Sequence, residues 1–202
     1  MKLYYTPGTC SLAPHIVARE ADLGIDLVKV DLATHKTVNG EDYTKTNPKG
    51  YVPAIVLDRD EVLTEASALL QYLSDLKPQA GLLPPVGTLD RFRVIEWLTF
   101  ISAELHKGFS PLWDNGAPEA TKLAARDRLA NRFSYLNRHL AGRQYLTGDS
   151  FTSADAYCFT IVNWCNFLNI DLAPYPNLGA YMQRVAARPK VREALMAEGL
   201  LK

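Results

Sequence analysis

A proline- and glycine-rich break, KPQAGLLPPVG at residues 77–87, divides the chain into two parts with different hydrophobic periodicities. Before it, short strand-like runs and helical patterns follow one another in the order β-α-β-(α)-β-β-α. After it, every segment has the apolar spacing of a helix. Because such a break cannot continue a helix or a strand, the sequence predicts an α/β domain over residues 1–80, a linker over 81–87 and an all-α domain over 88–202.

The same periodicities place the individual elements. Strands are predicted over residues 2–5 and 26–31 and as a hairpin over 52–63, with helices over 12–20 and 65–76. Residues 33–50 are polar and are predicted as loops. The helices of the second domain are predicted over residues 89–107, 118–140, 152–168, 178–188 and 190–198.

Composition restricts the class of protein. The 202 residues are 48% hydrophobic and 22% charged, with a formal net charge of zero. That balance offers no electrostatic basis for binding nucleic acid or an anionic membrane, and no apolar run reaches the roughly 18–20 residues of a membrane span. The three cysteines and four histidines show neither disulfide nor metal-ligand spacing. We expect a cytoplasmic protein with no metal and no membrane or nucleic-acid partner.

Cys10 follows a Pro-Gly turn and immediately precedes a predicted helix, in the stretch TPGTCS. Pro14 lacks an N–H and is tolerated only in the first helical turn, so the helix should begin near Cys10 or Ser11. A thiol at a helix N-terminus has a lowered pKa, which favours the thiolate. The alternative is a buried structural cysteine, which is the role we expect for Cys158 and Cys165 in their apolar helix.

Four stretches of the chain form a longer pattern. They are Tyr5-x-Pro7-Gly8-x-Cys10-Ser11, Asn47-Pro48-Lys49-Gly50-x-Val52-Pro53, Leu63-Thr64-Glu65 and Glu104-Leu105-His106-Lys107-Gly108. In this order and spacing they resemble the cytosolic glutathione transferases, above all the bacterial beta class, which has a cysteine at the active-site position. The resemblance implies a thioredoxin-like α/β N-terminal domain that binds glutathione, an all-α helical C-terminal domain and a homodimer. Glutathione would be a cosubstrate, with no separate cofactor.

The resemblance assigns the chemistry to Cys10, His106 and Lys107. His106 and Lys107 would supply a base or a positive field near the reacting thiol. Thr99, Ser102 and His106 recur at i, i+3 and i+7, so they should lie along one stripe of a helix. Such a stripe is often a solvated face; the resemblance instead implies that it faces glutathione.

Glutathione recognition is assigned mainly to the N-terminal domain. A cis Val52–Pro53 bond would let the Val52 backbone pair with the cysteinyl backbone of glutathione; the alternative is an edge-strand proline without a ligand role. Glu65 would bind the ammonium group, and the N–H groups of Ala66 and Ser67 would bind the γ-glutamyl carboxylate, unless this helix start is merely capped. The resemblance further implies glutathione contacts for Tyr5, His35, Lys36 and, in the partner subunit's site, Glu104.

The second substrate would be a small hydrophobic electrophile. Phe109, Trp113 and Trp164 are candidates for the wall of its pocket, although isolated aromatic residues are as often part of the core. Thr152 and Asp155 have the spacing of a capping box, which predicts a structural role for Asp155.

The resemblance implies conjugation of reduced glutathione to hydrophobic electrophiles. Two alternatives remain open. Cys10 could form a mixed disulfide with glutathione and act as a glutaredoxin-like thiol–disulfide oxidoreductase or as a reductive dehalogenase. The chain could also be a non-catalytic protein that binds hydrophobic ligands.

Overall fold

The computed structural model describes residues 1–201; Lys202, the last residue of the predicted helical domain, lies outside the described part. The N-terminal strands are β1 (Lys2–Tyr5), β2 (Asp26–Asp31), β3 (Lys36–Thr37), β4 (Ala54–Val56) and β5 (Val62–Thr64). The helices among them are α1 (Leu12–Glu20) and α2 (Ala66–Leu76). The strands and helices for which the sequence predicts bounds in this part are present, with ends that differ by at most two residues.

The five strands form one mixed sheet in the order β3-β2-β1-β4-β5. β1 lies parallel to β2 and antiparallel to β4, so that Leu3 is paired with Leu27 on one side and with Ile55 on the other. Because successive side chains of a strand point to opposite faces, Leu3 and Ile55 enter the main core, whereas Tyr4 packs in a second cluster. The α/β domain expected from the sequence is confirmed.

The sequence predicts loops and at most one helical element in residues 33–50; this prediction is wrong in part, because a strand is also present. This segment contains β3 and a short 3₁₀ turn, Tyr43–Lys45. Tyr43 is completely buried against the sheet, and its hydroxyl donates to the Tyr51 carbonyl over 3.0 Å. A single buried aromatic in a polar stretch creates no periodicity, and for that reason the pattern did not indicate that Tyr43 is part of the core.

The C-terminal part is helical, as predicted. Its helices are α3 (Leu89–Phe100), α4 (Ser110–Trp113), α5 (Glu119–His139), α6 (Ser153–Val162), α7 (Trp164–Phe167), α8 (Pro176–Ala186) and α9 (Pro189–Ala197). Two of the predicted helices are interrupted. α3 runs on through a π-helical turn, Ile101–His106, and a 3₁₀ turn, Lys107–Phe109, and the helix predicted over 152–168 breaks at Asn163.

Helix α1 joins the two parts of the molecule. All of its residues from Leu12 to Ala18 are buried, because it contacts α2 on one side and α6 and α9 on another. A helix buried on all sides is typical of the centre of a core. The turn that precedes α1, which carries Cys10, is therefore placed at the boundary between the sheet and the helical part. Within residues 1–201, no helix combines the length and the apolarity needed to cross a membrane.

Candidate functional site

A cleft of about 640 Å³ opens at this boundary. The Cys10 turn, the segment before β4, the start of α2 and the end of α3 form its walls. The structure brings most of the predicted site residues together here, namely Cys10, Val52, Pro53, Glu65, Ala66, Ser67, Ser102, His106, Lys107, Trp113 and Trp164.

The Cys10 turn is held by side chains of the helical part. The N–H of Gly8 donates to Glu198 Oε2 over 2.9 Å, and the indole N–H of Trp164 donates to the Gly8 carbonyl over 2.8 Å. Gly8 has φ +74°, and a Cβ atom there would lie 3.2 Å from the Phe167 ring. Only glycine adopts this conformation without strain, and the turn is thereby fixed in front of α1.

The ionisation predicted for Cys10 is wrong: the pKa of its thiol is raised rather than lowered. Its side chain is 8% exposed, and burial raises the pKa of the thiol to about 12. The N–H groups of Cys10 and Ser11 and the charge of Lys107 lower that pKa, but they are outweighed. α1 begins at Leu12 with Ser11 as its N-cap, as Pro14 required. The thiol is thus a neutral donor, and it contacts the Val52 carbonyl at 3.3 Å.

The Val52–Pro53 peptide bond is cis, as the resemblance implied. Val52 is buried and Pro53 lines the cleft beside it. The Val52 carbonyl faces the Cys10 thiol. A peptide-like ligand lying along this segment would therefore meet both the Val52 backbone and Cys10.

Glu65 occupies a strained position at the start of α2. It is the N-cap residue, with φ 72° and ψ 116°, a region that residues other than glycine rarely adopt. Its carboxylate forms an ion pair with Lys49, whose ammonium group also donates to Thr64 Oγ1 over 2.9 Å. Lys49 lies inside one of the recognised motifs, yet its role as the partner of Glu65 was not predicted. Only folding brings the two residues together.

His106 contacts Tyr157, a residue that the sequence analysis missed. The Nδ1 atom of His106 lies 2.7 Å from the Tyr157 hydroxyl, and Tyr157 lines the cleft from α6. Burial, together with the neighbouring charge of Lys107, lowers the pKa of His106 to about 4. At neutral pH His106 is uncharged, so the positive field predicted at this point comes from Lys107. Tyr157 sits in an apolar helix beside Cys158, where nothing in the sequence distinguishes it from a core residue.

Thr99 and Glu104 do not line the cleft. Thr99 is exposed and donates to the Ile95 carbonyl over 2.9 Å, and Glu104 accepts from Arg132 over 2.7 Å. The predicted stripe assumed an α-helix throughout, but the π-helical turn at Ile101–His106 changes which residues share a face. Ser102 and His106 keep their place at the cleft while Thr99 does not.

Four other predicted site residues also lie outside the cleft. Phe109 is completely buried, with its ring against Phe133 and Trp164, so it belongs to the core rather than to the pocket wall. Tyr5 packs beside His15. His35 Nδ1 is 2.9 Å from the Gly50 carbonyl, and Lys36 is exposed on β3.

Comparisons with known proteins match this arrangement. The glutathione S-transferase N-terminal domain model matches residues 8–76, and the corresponding C-terminal domain model matches residues 96–189. The chain is 46% identical to glutathione S-transferase GstA of Escherichia coli O157:H7, over 99% of this chain and 100% of that protein.

Two solved structures extend the comparison. The bacterial beta-class glutathione S-transferase of Sphingomonas chungbukensis is 47% identical, with a TM-score of 0.96 over all of both chains. A sphingomonad glutathione S-transferase in complex with glutathione is 46% identical, with a TM-score of 0.95 over 99% of this chain and 100% of the other. The chain therefore belongs to the glutathione S-transferase family, as a bacterial beta-class glutathione transferase.

Proposed function

We propose that the chain conjugates reduced glutathione to small hydrophobic electrophiles in the cleft beside Cys10. One observation carries the proposal. The Val52 backbone, the strained Glu65 and the free N–H groups at the start of α2 all lie on the cleft that contains His106 and Lys107. Each matches one part of glutathione, and the solved sphingomonad relative holds glutathione.

In the proposed complex the Val52 backbone pairs with the cysteinyl residue of glutathione. Glu65 binds the ammonium group, sharing or exchanging its present partner Lys49, and the N–H groups of Ala66 and Ser67 bind the γ-glutamyl carboxylate. The glutathione sulfur then lies among Cys10, His106 and Lys107, where hydrogen-bond donors and a positive charge stabilise its thiolate. Trp113, Trp164 and Phe167 supply an apolar wall for the electrophile.

The state of Cys10 favours conjugation over the thiol–disulfide and dehalogenase alternatives. A mixed disulfide requires attack by a thiolate, and burial holds the pKa of Cys10 near 12. A protonated Cys10 is suited to donating a hydrogen bond to the glutathione sulfur. Conjugation requires only this hydrogen bond from Cys10, because the attacking sulfur belongs to glutathione.

We further propose a homodimer that acts in the cytoplasm in the detoxification of electrophiles. Support for the dimer comes from a set of exposed apolar side chains near the end of the sheet and on α2 and α3, namely Val62, Leu76, Leu89 and Phe92. In the dimer, Glu104 reaches the glutathione of the partner subunit in exchange for its present partner Arg132.

The experiment compares glutathione affinity by calorimetry in Glu65→Gln, in Glu61→Gln and in the unmodified protein. Glu65 is exposed, with 61% of its side chain accessible. Loss of its charge should therefore weaken glutathione binding by an amount typical of a solvated ion pair. We expect affinity to fall about fivefold, or roughly 1 kcal/mol. Glu61, also exposed near the start of β5, should have no effect. Unchanged affinity in Glu65→Gln would remove Glu65 from the site.

A further inference from the structure

Tyr157 lines the cleft and forms a short hydrogen bond with His106, with 2.7 Å between its hydroxyl and His106 Nδ1. Only 1% of its surface is exposed. Its ring meets the His106 ring edge-on, with centroids 5.9 Å apart and planes at 88°. Trp164 meets the same imidazole edge-on from another side at 5.0 Å and 74°. Trp164 is itself anchored by its bond to Gly8. The orientation of the His106 ring is thus set by two buried aromatic side chains.

The short contact can be made in two ways. Either the Tyr157 hydroxyl donates to an unprotonated Nδ1, or a protonated Nδ1 donates to the Tyr157 oxygen. The phenol of Tyr157 is a strong hydroxyl donor, and the unprotonated nitrogen of a neutral imidazole is a good acceptor for it. Burial also keeps the phenol protonated by raising the pKa of Tyr157. Both facts favour the first arrangement.

We infer that Tyr157 donates to His106 Nδ1 and thereby holds His106 in the tautomer whose Nε2 carries the hydrogen. Tyr157 is then a positioning residue, which acts on the substrate only through His106. Because Nδ1 is occupied, Nε2 is the ring nitrogen left for a ligand in the cleft that His106 lines. Its N–H can donate to a sulfur atom and cannot accept a proton.

This inference deepens the proposed function and rests on it for the identity of the sulfur. It assigns His106 the role of a donor that stabilises the glutathione thiolate, in place of the base considered from the sequence. The thiol proton then passes to solvent as the thiolate forms. The charged and titratable groups that act on His106 and Tyr157 are Glu65, Lys107 and Cys10. Of these, Lys107 provides the cationic charge that favours the glutathione thiolate.

The tautomer is measured directly in the ligand-free protein by nitrogen-15 NMR of the histidine rings at pH 7, with the His106 signals assigned through His106→Asn. We expect a protonated Nε2 and an unprotonated Nδ1. In Tyr157→Phe we expect a mixture of the two tautomers. In Tyr135→Phe, a change on an exposed ring of α5, the His106 signals should be unchanged. A protonated Nδ1 in the unmodified protein would overturn the inference while leaving the proposed function intact.

The effect on glutathione is tested with the same variants. The pKa of the bound thiol, followed by the ultraviolet absorbance of the thiolate, should rise by about one unit in Tyr157→Phe, because one donor is no longer held in place. Turnover should fall about tenfold, with the KM for glutathione changed less than twofold. In a His106→Asn background, Tyr157→Phe should add nothing. A purely structural role for Tyr157 would leave the bound thiol pKa unchanged, whereas failure of every variant and of the unmodified protein to bind glutathione would instead contradict the proposed function.

Discussion

At the scale of the residue, two effects of opposite sign act on Cys10. A helix N-terminus stabilises a nearby negative charge by about 0.3–2 kcal/mol, which corresponds to a pKa lowered by roughly 0.2–1.5 units. Burial can raise the pKa of an acid by as much as about 3–5 units. Because Cys10 lies two residues before α1 and is 8% exposed, burial prevails and its pKa is raised to about 12. The protonated Cys10 thiol can therefore donate a hydrogen bond to a ligand that lies in the cleft.

This charge state predicts slow alkylation of Cys10. Thiolates, not thiols, react with iodoacetamide, so at pH 8 the ligand-free protein should react roughly a thousandfold more slowly than a thiol of ordinary pKa near 8.5. The rate should rise about tenfold for each pH unit, without levelling off below pH 11. Mass spectrometry of a time course measures it, and Cys10→Ala supplies the background from Cys158 and Cys165. A plateau that begins near pH 8 would show that the thiol ionises freely.

At the scale of the element, the start of α6 depends on Asp155. Its carboxylate accepts from the N–H groups of Leu146 and Thr152, the Thr152 hydroxyl and the Tyr181 hydroxyl, at distances of 2.8–3.1 Å. The capping box expected from the sequence is therefore present. Through Leu146 and Tyr181, the same carboxylate also connects the loop after α5 and helix α8 to α6. Burial raises the pKa of Asp155 to about 6 in spite of these donors.

Asp155→Ala should destabilise the protein strongly. It leaves several buried donors without an acceptor, so we expect a loss of about 2–4 kcal/mol in the free energy of unfolding. Urea unfolding followed by circular dichroism measures it. Asp149→Ala, six residues earlier on the exposed loop, is the matched control and should stay within about 0.5 kcal/mol of the unmodified protein. A loss below about 1 kcal/mol for Asp155→Ala would mean that the box contributes little to folding.

At the scale of the whole molecule, the end of the chain closes back on its beginning. Glu198 is 6% exposed; one carboxylate oxygen accepts from the Gly8 N–H and the other lies 2.9 Å from His15 Nδ1. A second link between the two parts is the bidentate pair of Arg188 with Glu20, at 2.7 and 2.9 Å. Packing of α9 on α1 thus determines the shape of the Cys10 turn. The division into residues 1–80, 81–87 and 88–202 remains a prediction.

Removal of Glu198 should therefore affect both stability and the cleft. Glu198→Ala leaves the Gly8 N–H and His15 without their buried partner, a change that typically costs about 3–5 kcal/mol. We expect a lower melting temperature, with weaker glutathione binding under conditions where the variant is still folded. Glu193→Ala, which removes a half-buried carboxylate of α9 that pairs with Lys190, should change neither property. Retention of full stability and full glutathione affinity by Glu198→Ala would contradict this account.

The strands and helices were predictable because their cause is local. The alternation of β1, the periodicity of α2 and the capping box of α6 are each written within a short window of sequence. The positions of Cys10 and Pro14 located the start of α1 for the same reason. The order of the motifs was enough to identify the family, and with it the fold class and the cleft residues Val52 and Glu65.

What the sequence by itself determined, then, was the element order, the family and most of the residues around the cleft. The tertiary structure alone decided their chemical state. The pKa values of Cys10 and His106 depend on burial by segments far away in the chain, and the partners Lys49 and Tyr157 are brought to Glu65 and His106 only by folding. Desolvation and long-range hydrogen bonds have no signature in local periodicity, because the residues that produce them are not neighbours until the chain has packed.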